Sequence, residues 1–284
     1  MKVFSPKAFF RNAAPIALLA SIPATAQWID YPTAGVPTKP DGSADLSAPP
    51  PRMPDGKPNL SGIWTMICTA SDILVNGART AKPVMCLPET YVAREFADIG
   101  RGLDGGLPFQ PWAADAVKAR RAENGKNDPV THCLPGTPVR TYTAPLLKKI
   151  VQTPGLLLVL SESNASYRQV FIDGRPLPEG PNPSWNGYST AHWAGDTLIV
   201  ETNGFQDGQW LDRSGSPLTD RAKMTEKIRR PNFGSLEIEL TVDDPKAYTK
   251  PWTVRLSQSL ALNTELLDYI CLENEKDSSH LVGK

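Results

Sequence analysis

The clearest alternation of apolar and polar positions lies in residues 189–212, STAHWAGDTLIVETNGFQDGQWLD. Residues 197–202 are rich in β-branched and aliphatic side chains, which is typical of a strand, and residues 189–193 form a second such run. Because residues 194–196 are turn formers, the pattern predicts an antiparallel hairpin. Alternate residues of the second strand share an apolar face, whereas Glu201 lies on the opposite face.

Apolar runs separated by turn residues continue through most of the second half of the chain. Further strands are predicted near Trp64 and at residues 149–153, 156–161, 167–173, 224–229, 235–242, 252–260 and 266–271. About ten short strands with little helix favour a mainly β fold over a parallel one. We expect an antiparallel meander that forms a β-barrel or a strongly curved sheet, with one or two capping helices.

Two helices are predicted between the first strand and the meander. Pro88 suits a first helical position, apolar residues follow at helical spacing, and Gly100 fits the end of that helix. The second helix, residues 112–124, is rich in Ala, Lys, Arg and Glu and lies between Pro111 and Gly125.

The chain divides into three parts by composition. Residues 1–26 have a basic start, a short apolar core and small residues at a cleavage position, as a secretory signal peptide does. Residues 27–58 are rich in Pro, Gly, Ala and Ser, and we interpret them as an extended segment that lies on the surface. Residues 59–284 should form a single β-barrel-like domain. The apolar core of the signal is far shorter than the roughly 20 residues of a membrane span, so we expect a periplasmic or secreted protein.

The charge of the chain bears on its partners. The full chain has 30 basic and 30 acidic residues, and the signal segment contains three of the basic residues and no acidic one. The mature chain therefore carries a formal charge of −3, from 27 basic and 30 acidic residues. The mature chain has no excess of basic residues such as nucleic-acid-binding proteins show, so no nucleic-acid partner is expected.

Four cysteines follow the signal segment, and an even number in an oxidising compartment favours two disulfides. Three pairings are possible. We favour Cys68 with Cys86, which closes a local loop, and Cys133 with Cys271, which ties a middle loop to the last predicted strand. A cysteine metal site is disfavoured because the sequence has no Cys-x-x-Cys pair.

Metal, nucleophile and phosphate chemistry have weak support in the sequence. His132, His192 and His280 could together hold a metal ion, but they show no local ligand spacing, and isolated hydrogen-bonding histidines are the favoured interpretation. The chain has no Gly-x-Ser-x-Gly motif and no Gly-rich phosphate loop. We therefore predict neither a metal nor a cofactor.

Acid–base chemistry is possible around the end of the hairpin. Glu201, Asp207 and Asp212 lie close in sequence to Phe205 and Trp210, and aromatic shielding can raise a carboxylate pKa toward neutrality. These three are the candidate catalytic residues of a cofactor-independent lyase, isomerase or hydrolase. The competing interpretation, which we favour, is that the carboxylates cap turns and solvate a loop.

Aromatic side chains in loops could contact a ligand. Trp185 and Trp210 have Gly, Asn and Asp around them, whereas Trp112, Trp193 and Trp252 are predicted to lie in the core. The candidate ligand-binding residues are Trp185, Tyr188, Asn203, Phe205, Trp210, Arg140 and Tyr167. Tyr142 and Arg168 are further possible partners, although cross-strand pairing on an exposed face is the simpler explanation for such residues.

Several motifs resemble those of a large uncharacterised family of exported bacterial proteins. They are PDGKPNLSGIW at 54–64, KIVQTPG at 149–155, FIDGRP at 171–176, GDTL at 195–198, DPKAYTKPWT at 244–253 and HLVGK at 280–284. The resemblance spans nearly the whole mature chain and implies export without supplying a mechanism. His192 departs from the Arg that relatives often carry, which argues against a shared catalytic role for it. The Gly-x-Trp of the first strand is also loosely similar to the opening of lipocalin-like barrels.

The leading hypothesis is an exported β-barrel-like protein that binds a partly apolar organic ligand, either aromatic, terpenoid or carbohydrate-derived. One alternative is the enzyme outlined above. Another is an envelope interaction module that uses residues 27–58. Ligand identity and oligomeric state stay open at this point.

Overall fold

The computed structural model describes residues 31–68, 94–271 and 273, together with three two-residue strands between the first two ranges. The strands are β1 (Gly62–Cys68), β2 (Leu74–Val75), β3 (Ala78–Arg79), β4 (Val84–Met85), β5 (Lys148–Gln152), β6 (Leu156–Ser161), β7 (Ser166–Phe171), β8 (Tyr188–Ala194), β9 (Thr197–Asn203), β10 (Gln209–Trp210), β11 (Pro217–Leu218), β12 (Lys223–Asn232), β13 (Ser235–Asp243) and β14 (Trp252–Leu260). The helices are α1 (Arg94–Ala97), α2 (Pro111–Ala122), α3 (Pro138–Thr143) and a 3-10 turn at Pro129–His132. The predicted mainly β fold is confirmed.

Nine strands close into a barrel. Their order is β1, β5, β6, β7, β8, β9, β12, β13 and β14, and β14 pairs again with β1. Neighbours are antiparallel except β7 and β8, which run parallel and pair only through Val170 with Ser189 and Phe171 with Thr190. A parallel pair requires a crossover connection, here residues 172–187. With only two residue pairs, the β7–β8 junction is the shortest of the nine strand pairings around the barrel.

Alternation places one face of each strand in the barrel interior. Along β13, Leu236, Ile238, Leu240 and Val242 are all buried, and the residues between them point outward. The hairpin predicted at residues 189–202 is present as β8 and β9, and its apolar face is buried as expected.

Trp64 lies fully buried in the barrel interior on β1. Its indole Nε1 donates to the Leu60 carbonyl oxygen at 3.1 Å, and the Arg230 guanidinium lies 5.0 Å from the ring centroid. Gly62 has a φ of +150°, and a side chain there would meet Leu260 at 2.6 Å from Cβ. The Gly-x-Trp motif thus lets β1 pass close to β14.

The described part of the Pro-rich segment lies across the barrel surface. The backbone N–H groups of Phe233 and Gly234 donate to the carbonyl oxygens of Ala48 and Leu46 at 2.7 and 2.9 Å. Arg52 also forms a 2.7 Å ion pair with Asp196, in the turn between β8 and β9.

The helices partly match the sequence predictions. The second predicted helix is confirmed as α2, with Pro111 in its first turn. The helix predicted between Pro88 and Gly100 was too long at its C-terminal end, because α1 ends at Ala97 and a turn follows; residues 88–93 lie outside the described residues. Helix α3 was missed, although the Thr137 hydroxyl caps it by accepting from the Arg140 N–H at 3.2 Å.

The strand predicted at 266–271 was wrong. This segment instead lies beside the turn between β6 and β7, where the Leu267 N–H donates to the Glu162 carboxylate at 3.0 Å and Tyr269 forms an isolated bridge with Ser163. The predicted disulfide between Cys133 and Cys271 is confirmed. The other pairing lies outside the described residues, since it requires Cys86.

Candidate functional site

A cluster of polar side chains lies inside the barrel, centred on an ion pair between Arg168 and Glu226. Their side chains are 5% and 0% exposed. The guanidinium binds both carboxylate oxygens, one of them at 3.0 Å, and donates to the Thr202 hydroxyl at 2.8 Å and the Ser189 hydroxyl at 3.1 Å. The Tyr142 hydroxyl lies 3.5 Å from the same guanidinium. We call these five residues the Arg168 cluster.

Each strand member of the Arg168 cluster occupies an inward position on β7, β8, β9 or β12, which are consecutive around the barrel. Burial alone would lower the pKa of Arg168, but the Glu226 carboxylate outweighs it, and the pKa lies above its ordinary value. Burial and the same carboxylate raise the pKa of the Tyr142 hydroxyl. The guanidinium therefore stays charged and fully engaged with protein groups.

An open groove of about 500 Å³ lies on the outer side of the β7–β8 junction. Tyr167, Gln169 and Phe171 line it from β7, at alternate positions that point outward. The loop before β8 supplies Trp185 and Asn186, and Tyr188 begins the strand. We call this space the junction groove.

A small recess borders both the junction groove and the Arg168 cluster. Its lining shares Ser166, Tyr167, Arg168 and Asn186 with the groove and adds the Tyr142 side chain. Its volume of about 10 Å³ is enough for roughly one water molecule. Arg168 and Ser189 of the cluster therefore also line the groove, but both are buried, and the recess is too small to admit a larger ligand.

The groove exists because β8 pairs with β7 at only two positions, leaving the beginning of β7 without a neighbouring strand on this side. The Asn186 amide instead donates to the Tyr167 carbonyl oxygen at 3.1 Å. Phe171 and Tyr188 stack with ring centroids 5.3 Å apart, and the Arg175 guanidinium lies 3.9 Å from the Phe171 centroid. These contacts hold the aromatic walls in place.

The structure brings three of the predicted ligand-binding residues together, because Tyr167, Trp185 and Tyr188 all line the junction groove. Gln169, Asn186 and Phe171 line it too and were missed. The signal for Gln169 and Phe171 was their outward alternation with Tyr167 along one strand, whereas Asn186 lies in the loop before β8.

The other predicted ligand-binding residues lie elsewhere. Phe205 and Trp210 are buried in the core, and the Arg120 guanidinium lies 4.7 Å from the Trp210 centroid. Asn203 is partly buried and donates to the Pro178 carbonyl oxygen at 2.8 Å. Arg140 is buried in an ion pair with Asp128 at 2.7 Å.

Of the tryptophans predicted to lie in the core, Trp252 is buried and Trp193 packs against the core from a partly buried position. Trp112 is not in the core. It is 44% exposed on α2, and its indole N–H donates to the Lys246 carbonyl oxygen at 2.7 Å.

The three candidate catalytic carboxylates have different surroundings. Glu201 is exposed on the outer face of β9, and Asp207 forms a 3.0 Å surface ion pair with Lys246. Asp212 is fully buried and accepts from the Ile99 N–H at 2.9 Å and the Ser216 hydroxyl at 2.7 Å, while burial raises its pKa. None of the three lines the junction groove.

A second buried charge lies near the Arg168 cluster. Lys148 on β5 is buried, and its Nζ donates to the Tyr142 carbonyl oxygen at 3.3 Å, which also accepts from the Gln258 amide at 3.1 Å. Burial lowers the pKa of Lys148 to about 7, and the charge of Glu162 opposes this shift. The buried lysine therefore loses its proton far more readily than an exposed lysine does.

The fold and site define a closed nine-stranded barrel protein with an aromatic groove on its side. No protein-family model, curated protein or solved structure matches the chain. The resemblance to exported bacterial proteins therefore stays a prediction. In the described ranges, no group of three or more His, Cys, Asp or Glu residues could hold a metal ion, and no helix is both long and apolar enough to cross a membrane.

Proposed function

We propose that this protein binds a small, partly apolar organic ligand in the junction groove. The observation that carries the proposal is the convergence of Tyr167, Trp185 and Tyr188, from β7 and the segment leading into β8, around a space of about 500 Å³. Ligand sites are concave, lined mainly by apolar and aromatic side chains with a few polar groups, and of about 300–1,000 Å³. The groove has a volume in this range and aromatic walls, and its lining adds polar side chains on a side that is open to water.

The barrel interior is a less suitable place for a ligand. Side chains from every barrel strand fill it, including Trp64, and the Arg168 cluster spans the inner side of the β7–β8 junction. A ligand in the lumen would have to displace a close-packed core, whereas the groove is already open.

An exported location, periplasmic or secreted, fits this function. The disulfide between Cys133 and Cys271 supports it, because disulfides persist in oxidising compartments and are rare in the cytosol.

A thermal-shift screen of the purified protein against a metabolite library tests the proposal, since a ligand that binds the native state raises its apparent stability. Trp185→Ala and Tyr167→Ala should each clearly reduce the shift caused by a hit, because both side chains line the groove. Trp112→Ala is the matched control, because Trp112 is an exposed tryptophan on α2. A hit whose shift is unchanged in both groove variants would place the ligand elsewhere and refute the proposal.

A further inference from the structure

We infer that the ligand of the junction groove is a neutral oligosaccharide that lies along β7. This inference rests on the proposed function and narrows its ligand class. It follows from the charge, the order of side chains and the openness of the groove.

The charged side chains at the groove are engaged with protein groups: Arg175 lies on the Phe171 ring, donates to the Tyr188 hydroxyl at 3.2 Å and forms an ion pair with Asp173. Among the described residues that line the groove, Arg168 is the only charged one. Its guanidinium is 5% exposed and bound to Glu226, Ser189 and Thr202. Since binding sites complement the charge of their ligands, this lining favours an uncharged ligand over a carboxylate, a phosphate or an amine.

The outer face of β7 alternates aromatic and amide side chains. Tyr167, Gln169 and Phe171 follow one another at every second position. At about 3.3 Å per residue, Tyr167 lies roughly 13 Å along the strand from Phe171. The Phe171 ring carries the Arg175 guanidinium and stacks on Tyr188, so the aromatic surface at that end of the row is the Phe171–Tyr188 stack. A row of this length is longer than one sugar ring and suits a chain of linked rings.

The two kinds of side chain match the two surfaces of a sugar. The C–H face of a pyranose is apolar and packs flat on an aromatic ring, whereas its hydroxyl groups point outward and both donate and accept hydrogen bonds. A carboxamide also donates and accepts. Gln169 is exposed beside the two rings, and Asn186 uses its Nδ2 on the Tyr167 carbonyl, which leaves its Oδ1 to accept from a hydroxyl.

The openness of the groove argues against an aromatic or terpenoid ligand. Apolar ligands gain affinity by removing most of their surface from water. Tyr167, which forms one wall, is itself 61% exposed, so a ligand lying against it keeps one side in water. A glycan tolerates this arrangement because its outer hydroxyl groups remain hydrated.

Calorimetric titration of the purified full-length chain tests this inference. The probes are neutral cello-, xylo-, manno-, malto- and chito-oligosaccharides, their monosaccharides, an oligogalacturonate as charged control, and a panel of uncharged aromatic and terpenoid compounds. We expect one neutral series to bind, with the longer oligomers at least about tenfold tighter than the monosaccharide, as one added ring contact can provide. The oligogalacturonate should bind more weakly.

Variants locate the bound chain. Tyr167→Ala and Trp185→Ala should each weaken oligosaccharide binding by about tenfold. Gln169→Leu should also weaken it, whereas Trp112→Ala should not. Unchanged thermal midpoints show that the variants are folded, which their exposed or partly exposed positions favour.

Two outcomes would overturn the inference in different ways. Binding of an aromatic or terpenoid compound that depends on Trp185, with no oligosaccharide bound, would refute the sugar class and leave the proposed function standing. Oligosaccharide binding that Tyr167→Ala and Trp185→Ala leave intact would refute both the groove and the inference.

Discussion

Replacing either partner of the ion pair inside the barrel should strongly destabilise the protein, whereas replacing both partners together should not. Arg168 and Glu226 are both almost completely buried and bind each other through two oxygens. Replacing Glu226 with Met leaves a guanidinium without its counter-ion, and replacing Arg168 with Met leaves a buried carboxylate. Each single change should therefore be much more damaging than the loss of a surface ion pair.

The expected magnitudes follow from this burial. Removing one partner of a buried pair costs about 3–5 kcal/mol. For a domain of this size, that lowers the thermal midpoint by roughly 6–20 °C. The double variant should recover most of the loss, because apolar replacement of both partners is often nearly neutral. Ser189 and Thr202 can remain paired in it, since their hydroxyls lie 3.0 Å apart.

Urea denaturation measures the stability of the two single variants and the double variant. A double-mutant cycle built from these values gives the interaction free energy between Arg168 and Glu226. The matched control is Arg229 with Glu237, an ion pair at 2.7 Å between adjacent barrel strands, whose side chains are 55% and 51% exposed. Its Met variants should change stability by less than about 1 kcal/mol. If Glu226→Met costs no more than Glu237→Met, the reasoning from burial fails.

Two further predictions concern stability. Burial lowers the pKa of Lys148 from 10.5 to about 7, so between these values only the unfolded chain retains the proton, and the free energy of unfolding rises with pH. Between about pH 7 and 9, Lys148→Met should lower the slope of the unfolding free energy against pH by up to roughly 1.4 kcal/mol per pH unit. Lys149→Met, which removes a partly exposed ion pair, should leave that slope unchanged. Equal slopes for Lys148→Met and the wild type in urea titrations would contradict the effect of the buried lysine. Replacing Cys133 and Cys271 by Ala removes a cross-link between residues 138 apart, which should cost about 5 kcal/mol in the chain-entropy model. An unchanged urea midpoint would contradict that.

The strands were predictable from sequence because alternation is a local signal. The long runs of β12, β13 and β14 bury every second residue, as their sequences indicate. The error at 266–271 has a topological cause. A strand needs a free sheet edge, but β14 already pairs with β1, and closing a barrel removes the edges of its sheet.

The sequence indicates that Arg168 and Glu226 occupy buried positions, but it does not indicate that they contact each other. Arg168 alternates with Val170, and Glu226 stands between Met224 and Ile228, so both charges occupy inward positions. Two opposite charges on apolar faces suggest a buried pair. Their contact could not be inferred, because it depends on the strand order that places β8 and β9 between them.

The aromatic loop residues show where local composition fails. Trp185 and Trp210 have similar neighbours in sequence, yet Trp185 lines the groove and Trp210 is buried. The difference comes from long-range contacts, since Trp210 pairs with Pro217 through β10 and β11 and lies under Arg120. Glycine and asparagine around a tryptophan predict a turn, but they do not predict what packs over it.

The groove and the Arg168 cluster are two consequences of the same short junction. Because β7 and β8 share only two residue pairs, backbone pairing alone joins them weakly, and the outer side of β7 is left open as the junction groove. On the inner side, Arg168 reaches from β7 to Ser189 of β8, Thr202 of β9 and Glu226 of β12. The cluster thereby connects the strands where the ladder is shortest. Side-chain contacts in the barrel interior thus compensate for the short β7–β8 pairing, so the groove outside this junction need not weaken the barrel.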